Sequence, residues 1–223
     1  MATKITENLF DYGQKYFRGN AHLLKLATFG EKKDPIGAKA YVDPQGTVKP
    51  KYLVGRVSKG EVAAIDWGQT TKADVEVNGT VKVFGVGLNS ARTFSYEQIK
   101  SAKLKLCNLS MVEGQLKSML NTDADNARKY MANEGNDARI VSEVWVVMEA
   151  ELAEHFDASA SVSASASADG NELNIIAKGG RQGTQTITLS AGTTFAYKLH
   201  KVKDWNRDKT QIEDMEADYK GMS

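Results

Sequence analysis

Alternation with a period of two is the feature that most narrows what this chain can fold into. Ile140, Val144, Val146 and Met148 share one parity, while Val141, Trp145 and Val147 share the other. Side chains of a strand point alternately to its two faces, so a run apolar on both parities predicts a central strand covered on both sides. Past Glu149 the pattern is expected to become two-faced. Ala158, Ala160, Val162, Ala164, Ala166 and Ala168 alternate with Ser159, Ser161, Ser163, Ser165 and Ser167 before Asp169-Gly170-Asn171 supplies a turn. Glu172 to Lys178, Thr184 to Leu189 and Thr194 to Val202 read as returning strands. The Ala/Ser run also fits a low-complexity linker, and a flexible hairpin ordered only on meeting a partner lies between the two readings.

The same period appears earlier. Ala73, Val75, Val77, Val81 and Val83 oppose Asp74, Glu76, Asn78 and Lys82, which predicts one long half-solvated strand with an irregularity at Gly79, an Asn78-Gly79 hairpin being the other option. Ala102, Leu104 and Leu106 oppose Ser101, Lys103 and Lys105 in a second strand that ends near Ser110. The period then changes. Met111, Leu116, Met119 and Leu120, followed by Ala127, Tyr130 and Met131, predict two surface helices, the second capped by Asp123 or Asp125 and closed by Gly135-Asn136.

Both ends of the chain read as helical. Ile5, Leu9, Tyr12 and Tyr16 predict an amphipathic helix from Thr3 to Phe17, with Lys4, Lys15 and Arg18 on its polar face and end. Ile212, Met215 and Tyr219 are spaced to dock as a short helix. Pro35, Pro44 and Pro50, among Gly37, Gly46 and Gly55, predict loops joining short strands such as Lys39 to Val42 and Tyr52 to Val57. The sum is an α+β fold, a twisted and mainly antiparallel sheet with surrounding helices. One domain of residues 1–203 precedes a short acidic tail, 204–223.

Charge and motifs exclude several functions. Lys+Arg number 29 against 28 Asp+Glu, a balance without the basic footprint of a nucleic-acid partner. The tail holds six acids and three bases, which leaves +4 on the remainder and lets the tail cover a basic surface. Neither an apolar leader nor a run of about 18 apolar residues is present, so a soluble cytoplasmic protein is expected. The lone Cys107, between Leu106 and Leu109, reads as an inert buried thiol. His22, His155 and His200 lie far apart, outside any metal-ligand spacing. Gly85-Val86-Gly87-Leu88-Asn89-Ser90 lacks the last glycine of a dinucleotide loop, and the glycines at 179, 180 and 183 fit a hairpin turn better than an anion cradle. Carboxylate pairs such as Glu149 and Glu151 would share a strand face, as chance alone provides among 28 acids. No catalytic residue, cofactor or metal is expected, which favours a non-enzymatic role.

Two segments carry a resemblance. Ile187 to Lys198, in which an alternating strand meets Gly192-Thr193-Thr194 and then Phe195-Ala196-Tyr197-Lys198, is similar to a strand of the gasdermin pore-forming family; so is Trp145-Val146-Val147-Met148-Glu149. The order of elements from Lys72 to Val202 also resembles that family, in its short-tailed bacterial and fungal form. The resemblance implies a soluble, autoinhibited monomer, released by cleavage of the tail or by a partner protein. It then assembles into homo-oligomeric membrane rings that cause cell death or antiviral defence, at the inner face of the plasma membrane.

On this chain the membrane hairpins would be rebuilt from about Val57 to Leu106 and Ile140 to Tyr197. Val75, Val77, Val81, Val83, Leu104, Leu106, Ala158, Ala160, Val162, Ala164 and Ala166 would be the candidate lipid-facing residues. Lys4, Lys15, Arg18, Lys103 and Lys105 would meet anionic lipid headgroups, and Ile212, Met215 and Tyr219 would hold the inhibitory tail. Tilted membrane strands need about 9 to 11 alternating residues, a length the Ala/Ser run meets. The competing expectation is a β-rich structural protein whose strands pair between chains, again without enzymatic activity.

Overall fold

The chain is organised around one strand that changes partners along its length. In the computed structural model, which describes residues 2–3, 5, 9–11, 14–37, 39–76, 81–86, 90–179 and 183–221, that strand is the tenth of fifteen. The amino-terminal strands are β1 (Ala2–Thr3), β2 (Leu9–Asp11), β3 (Gln14–Tyr16), β4 (Thr28–Lys33), β5 (Tyr41–Thr47) and β6 (Ser58–Ile65). Helix α1 (Lys72–Glu76), β7 (Lys82–Phe84), β8 (Arg92–Thr93), α2 (Tyr96–Ser101) and β9 (Leu104–Ser110) follow. Then come α3 (Glu113–Thr122), α4 (Asp125–Glu134), β10 (Ala138–Glu149) and α5 (Ala150–Ala158). The chain continues through β11 (Val162–Ala166), β12 (Leu173–Lys178), β13 (Thr184–Leu189), β14 (Thr194–Trp205) and β15 (Ile212–Asp218).

At its start β10 lies between β4 and β14; at its end it pairs with β9 and, in parallel, with β7. Bulges between Val141 and Glu143 and between Trp145 and Val146 interrupt its ladder with β14, and such irregularities bend and twist a strand. The result is a ten-stranded mixed sheet along the path β1-β6-β9-β10-β14-β15, mostly antiparallel and not closed into a barrel. The fold class is therefore α+β, as the alternation predicts. β10 is also central and buried on both faces: Ile140, Val144, Val146 and Met148 join the core beneath the helices, while Trp145 and Val147 join a second core on the other face; Val141, expected with the latter pair, joins the first core instead, next to the bulge between Val141 and Glu143. Burial of each such aliphatic side chain is worth about 1.5–3 kcal/mol, so this one strand ties the two cores together.

Several expectations are corrected. The amino-terminal segment is not a helix: β2 and β3 form a hairpin in which Leu9 pairs opposite Tyr16. Both are buried, so residues seven apart share a face across a turn as readily as along a helix. The expected strand from Ala73 to Val83 is broken, because Thr71 and Asp74 bond each other's amides and start α1, on which Val75 is buried. Val77 lies outside the described residues. Val81 and Val83 are buried at and beside β7. Ser101 ends α2, which a Ser95/Gln98 capping box starts, and the second strand begins at Leu104. Tyr52 to Val57 is not a strand: a 3-10 turn spans Pro50–Tyr52 and a turn follows.

The Ala/Ser region is corrected most. The segment after Glu149 is α5, which buries Leu152, Ala153, His155 and Phe156 at helical spacing, so Glu149 and Glu151 share no strand face. Ala, Leu and Glu are strong helix formers, and Lys59 Nζ donates to the carbonyls of Phe156 and Asp157 at the helix's end. Ala158 ends the helix and Ala160 lies in the connection; of the run, only Val162 to Ala166 is on a strand. That strand, β11, forms a separate sheet with β12 and β13.

The tail is a strand, not a helix. β15 pairs with β14, so the expected boundary between residues 203 and 204 falls inside β14. Ile212 and Met215 are buried on one face although three residues apart, because the ladder shifts register between Asp204 and Trp205.

Candidate functional site

The hairpin β4–β5 projects an apolar tip. Lys33 pairs opposite Tyr41, and beyond them Pro35-Ile36-Gly37 forms the turn, with Gly37 at φ +74° where a side chain is disfavoured. Ile36 is fully exposed, the most solvated large hydrophobe among the described residues. Lys33, whose side chain pairs with Glu31 at 2.5 Å, and Lys39 flank it.

Just below this turn, at the end of the β4–β5 ladder, lies a buried ionic clamp. Lys32 Nζ donates to Asp218 Oδ2 at 2.9 Å, and Arg139 Nε donates to the same oxygen at 2.7 Å. Lys32 comes from β4, Arg139 from β10 and Asp218 from the last residue of β15, and all three are buried. The Lys220 amide donates to Asp218 Oδ1 at 3.0 Å, while Lys32 also donates to the Lys220 carbonyl. Burial disfavours the Asp218 charge, but hydrogen bonds from Arg139, Lys32 and the Lys220 amide outweigh it and hold the carboxyl down at about 2. Gly221 packs so closely that an added Cβ would lie 2.6 Å from Asp34 Oδ1 and 2.7 Å from the Ala40 side chain. The carboxyl-terminal strand is thus fastened beside the turn that carries Ile36.

The expected lipid contacts are scattered by the fold. Lys4 lies outside the described residues. Lys15 is half-buried on β3. Arg18 is 1% exposed, its guanidinium 4.3 Å from the Phe195 ring centre, so it meets a headgroup only if the amino-terminal segment moves. Lys105 pairs with Glu154 at 2.8 Å, and Lys103 is exposed. Of the expected hairpin residues, Leu104 and Leu106 are buried on β9. Ile212 and Met215 anchor the tail in the main core, and Tyr219, 40% exposed, has Lys198 Nζ 5.4 Å from its ring.

Sequence reasoning missed Lys32, Arg139, Asp218 and Ile36. An isoleucine between Pro35 and Gly37 is an apolar residue inside turn chemistry, a signal available to it. No pattern joins Lys32 to Asp218, which are brought together only by the sheet.

Two further polar groups have structural roles. Ser142 Oγ and His200 Nδ1 are 2.7 Å apart, with Glu113 Oε2 3.7 Å from His200 Nε2, an order of groups that nucleophilic catalysis uses. Ser142 is 1% exposed, however, so its hydroxyl is out of a substrate's reach. Burial, then the nearby Lys198 charge, push His200 down to about 4. On the opposite face Glu143 accepts from Tyr16 Oη at 2.7 Å and from Asn108, pinning the β2–β3 hairpin to the sheet. A groove of about 310 Å³ between Phe29, Tyr52 and the start of α4 presents Asp123 and Asp125, each already paired, with Arg56 at 2.7 Å and Lys129 at 2.6 Å. Cys107 is buried and its thiol is pushed up to about 12 by desolvation, so it stays protonated. Among the described residues no helix is long and apolar enough to cross a membrane, which leaves strands aside. No protein-family model, curated protein or solved structure matches the chain.

Proposed function

We propose that this chain is a non-enzymatic pore former of the gasdermin type, held inactive until its carboxyl-terminal strand is released by cleavage or by a partner, and then oligomerising in anionic membranes to cause cell death or defence. The observation that carries this reading is the fully exposed Ile36 on a hairpin whose turn end is clamped to β15 through Lys32 and Asp218. Transfer of one isoleucine into lipid is worth about 2 kcal/mol, and each lysine near an anionic surface adds about 1 kcal/mol. One tip therefore binds weakly, and several copies in a ring bind together. Loss of β15 would also uncover Lys32 and Arg139, two cations with an affinity for the same headgroups.

Pore formation would then require β7, β9 and the β11–β13 sheet to be rebuilt as membrane strands, since lipid tolerates strands only in a closed barrel. The test is dye release from anionic liposomes by three proteins: the intact chain, a chain nicked at a protease site placed in the exposed turn between Trp205 and Ile212, and Asp218→Ala. Leakage from the nicked chain and from Asp218→Ala, with none from the intact chain, supports the reading. If no form leaks, the pore-forming proposal fails. The competing reading, a structural protein assembling through its strands, is favoured by the charge-free free edge of β13.

A further inference from the structure

The sheet β11–β12–β13 has one edge that pairs with no other strand among the described residues. Its inner face sends Ala164, Leu173, Ile175, Ala177, Ile187 and Leu189 into the main core. β11 lies against β6 and the 50–52 turn, whereas β13 pairs with β12 alone. The outer edge of β13 therefore presents unpaired ladder groups over Thr184-Gln185-Thr186-Ile187-Thr188-Leu189, a six-residue strand in unbroken register with β12. Edges in natural proteins are blunted by charge, proline, bulges or shortness. This one has none of these.

Every other edge among the described strands has at least one, except that of β11, which lies against β6 and the 50–52 turn. β15 carries Glu213, Asp214, Glu216 and Asp218, and its first residue is bonded through both backbone groups by the Asn121 side chain. β5 contains Asp43 and Pro44, with a register shift beside it. β1 and β8 are two residues long, β2 and β3 three. A molecule with one open edge can pair by strand addition only with the same edge of another copy, and such an isologous contact closes instead of growing into a fibre.

We propose that β13 is a homodimerisation edge, at which two copies pair antiparallel about a two-fold axis to form one six-stranded sheet. Faces match only if the axis passes through a residue, with the longest overlaps at Thr186 or Ile187, because a shift of one residue would turn the buried face outward. With the axis at Thr186, that residue faces its own copy and Thr184 faces Thr188; with the axis at Ile187, Thr186 faces Thr188. Either register sets threonine against threonine, a favourable cross-strand pair, and brings no like charges together. The surface does not depend on the membrane reading.

Sedimentation equilibrium from micromolar to millimolar concentration tests this on the full chain, with Thr186→Lys and with Ser163→Lys, the latter placing the same charge on the far strand of the same sheet. Thr186 and Ser163 are both exposed, so both variants fold, which circular dichroism verifies. The wild type and Ser163→Lys should dimerise alike, Thr186→Lys at least about tenfold more weakly because two lysines meet across the axis or crowd it. Amide exchange over residues 184–189 should slow as the wild-type concentration rises. A monomer across the whole range, or a dimer that Thr186→Lys leaves intact, overturns the proposal.

Discussion

Asp218 Oδ2 lies 2.9 Å from Lys32 Nζ across 186 positions of sequence, and the pair sits inside the protein with Arg139 as a third member. Removing one partner of a buried ionic group strands the others without compensation, at a typical cost of about 3–5 kcal/mol. Asp218→Ala should lower the urea midpoint accordingly and raise proteolysis near the carboxyl terminus. An effect under about 1 kcal/mol would mean that the clamp is not what fastens β15.

The same carboxylate gives an acid limit to stability. Its folded value, about 2, is depressed from 3.8, so its contribution is full above about pH 3.8 and is lost as pH falls toward 2. The loss should be on the order of 2 kcal/mol, and the slope of stability against pH in that window should flatten in Asp218→Ala. Unfolding curves at closely spaced pH values measure it.

His200 acts in a higher and separate window. Its folded value of about 4 is depressed from 6.5, so the unfolded chain binds more protons between these limits and stability falls as pH drops through them. His200→Gln cannot titrate there. Between pH 7 and pH 4 the wild type should lose up to about 3 kcal/mol more than this variant; equal losses would show that His200 does not carry the effect.

Two glycines should respond in opposite directions to alanine. A Cβ at Gly30 would lie 2.0 Å from the Asp43 carbonyl oxygen across the β4–β5 ladder, while one at Gly114 in α3 would meet open space. Gly30→Ala should destabilise by more than about 2 kcal/mol, and Gly114→Ala should stabilise by up to about 1 kcal/mol. Thermal melts of the two proteins decide.

Ile36→Asp separates membrane contact from folding. The side chain is fully exposed, so stability should change by less than about 0.5 kcal/mol. Co-sedimentation of the nicked protein with anionic vesicles should fall several-fold; undiminished binding would remove the hairpin tip from the membrane contact.

Elements whose pattern is local and long are legible in the sequence alone. β10 is apolar on both parities over enough residues to admit no other reading, and α3, α4, β12, β13 and β14 follow from their own periods. Where a segment is short, neighbours decide its conformation. Leu9 and Tyr16 fit a helix by spacing but meet across a hairpin, Val75 fits a strand but is held in a helix started by Thr71 and Asp74, and Ile212 and Met215 fit a helix but share a strand face through a register shift. The clamp is further still from what periodicity can reveal. Periodicity reports which residues share a face of one element, whereas Lys32, Arg139 and Asp218 belong to three strands that meet only when the sheet is assembled, and the energy that makes them significant comes from their joint removal from water.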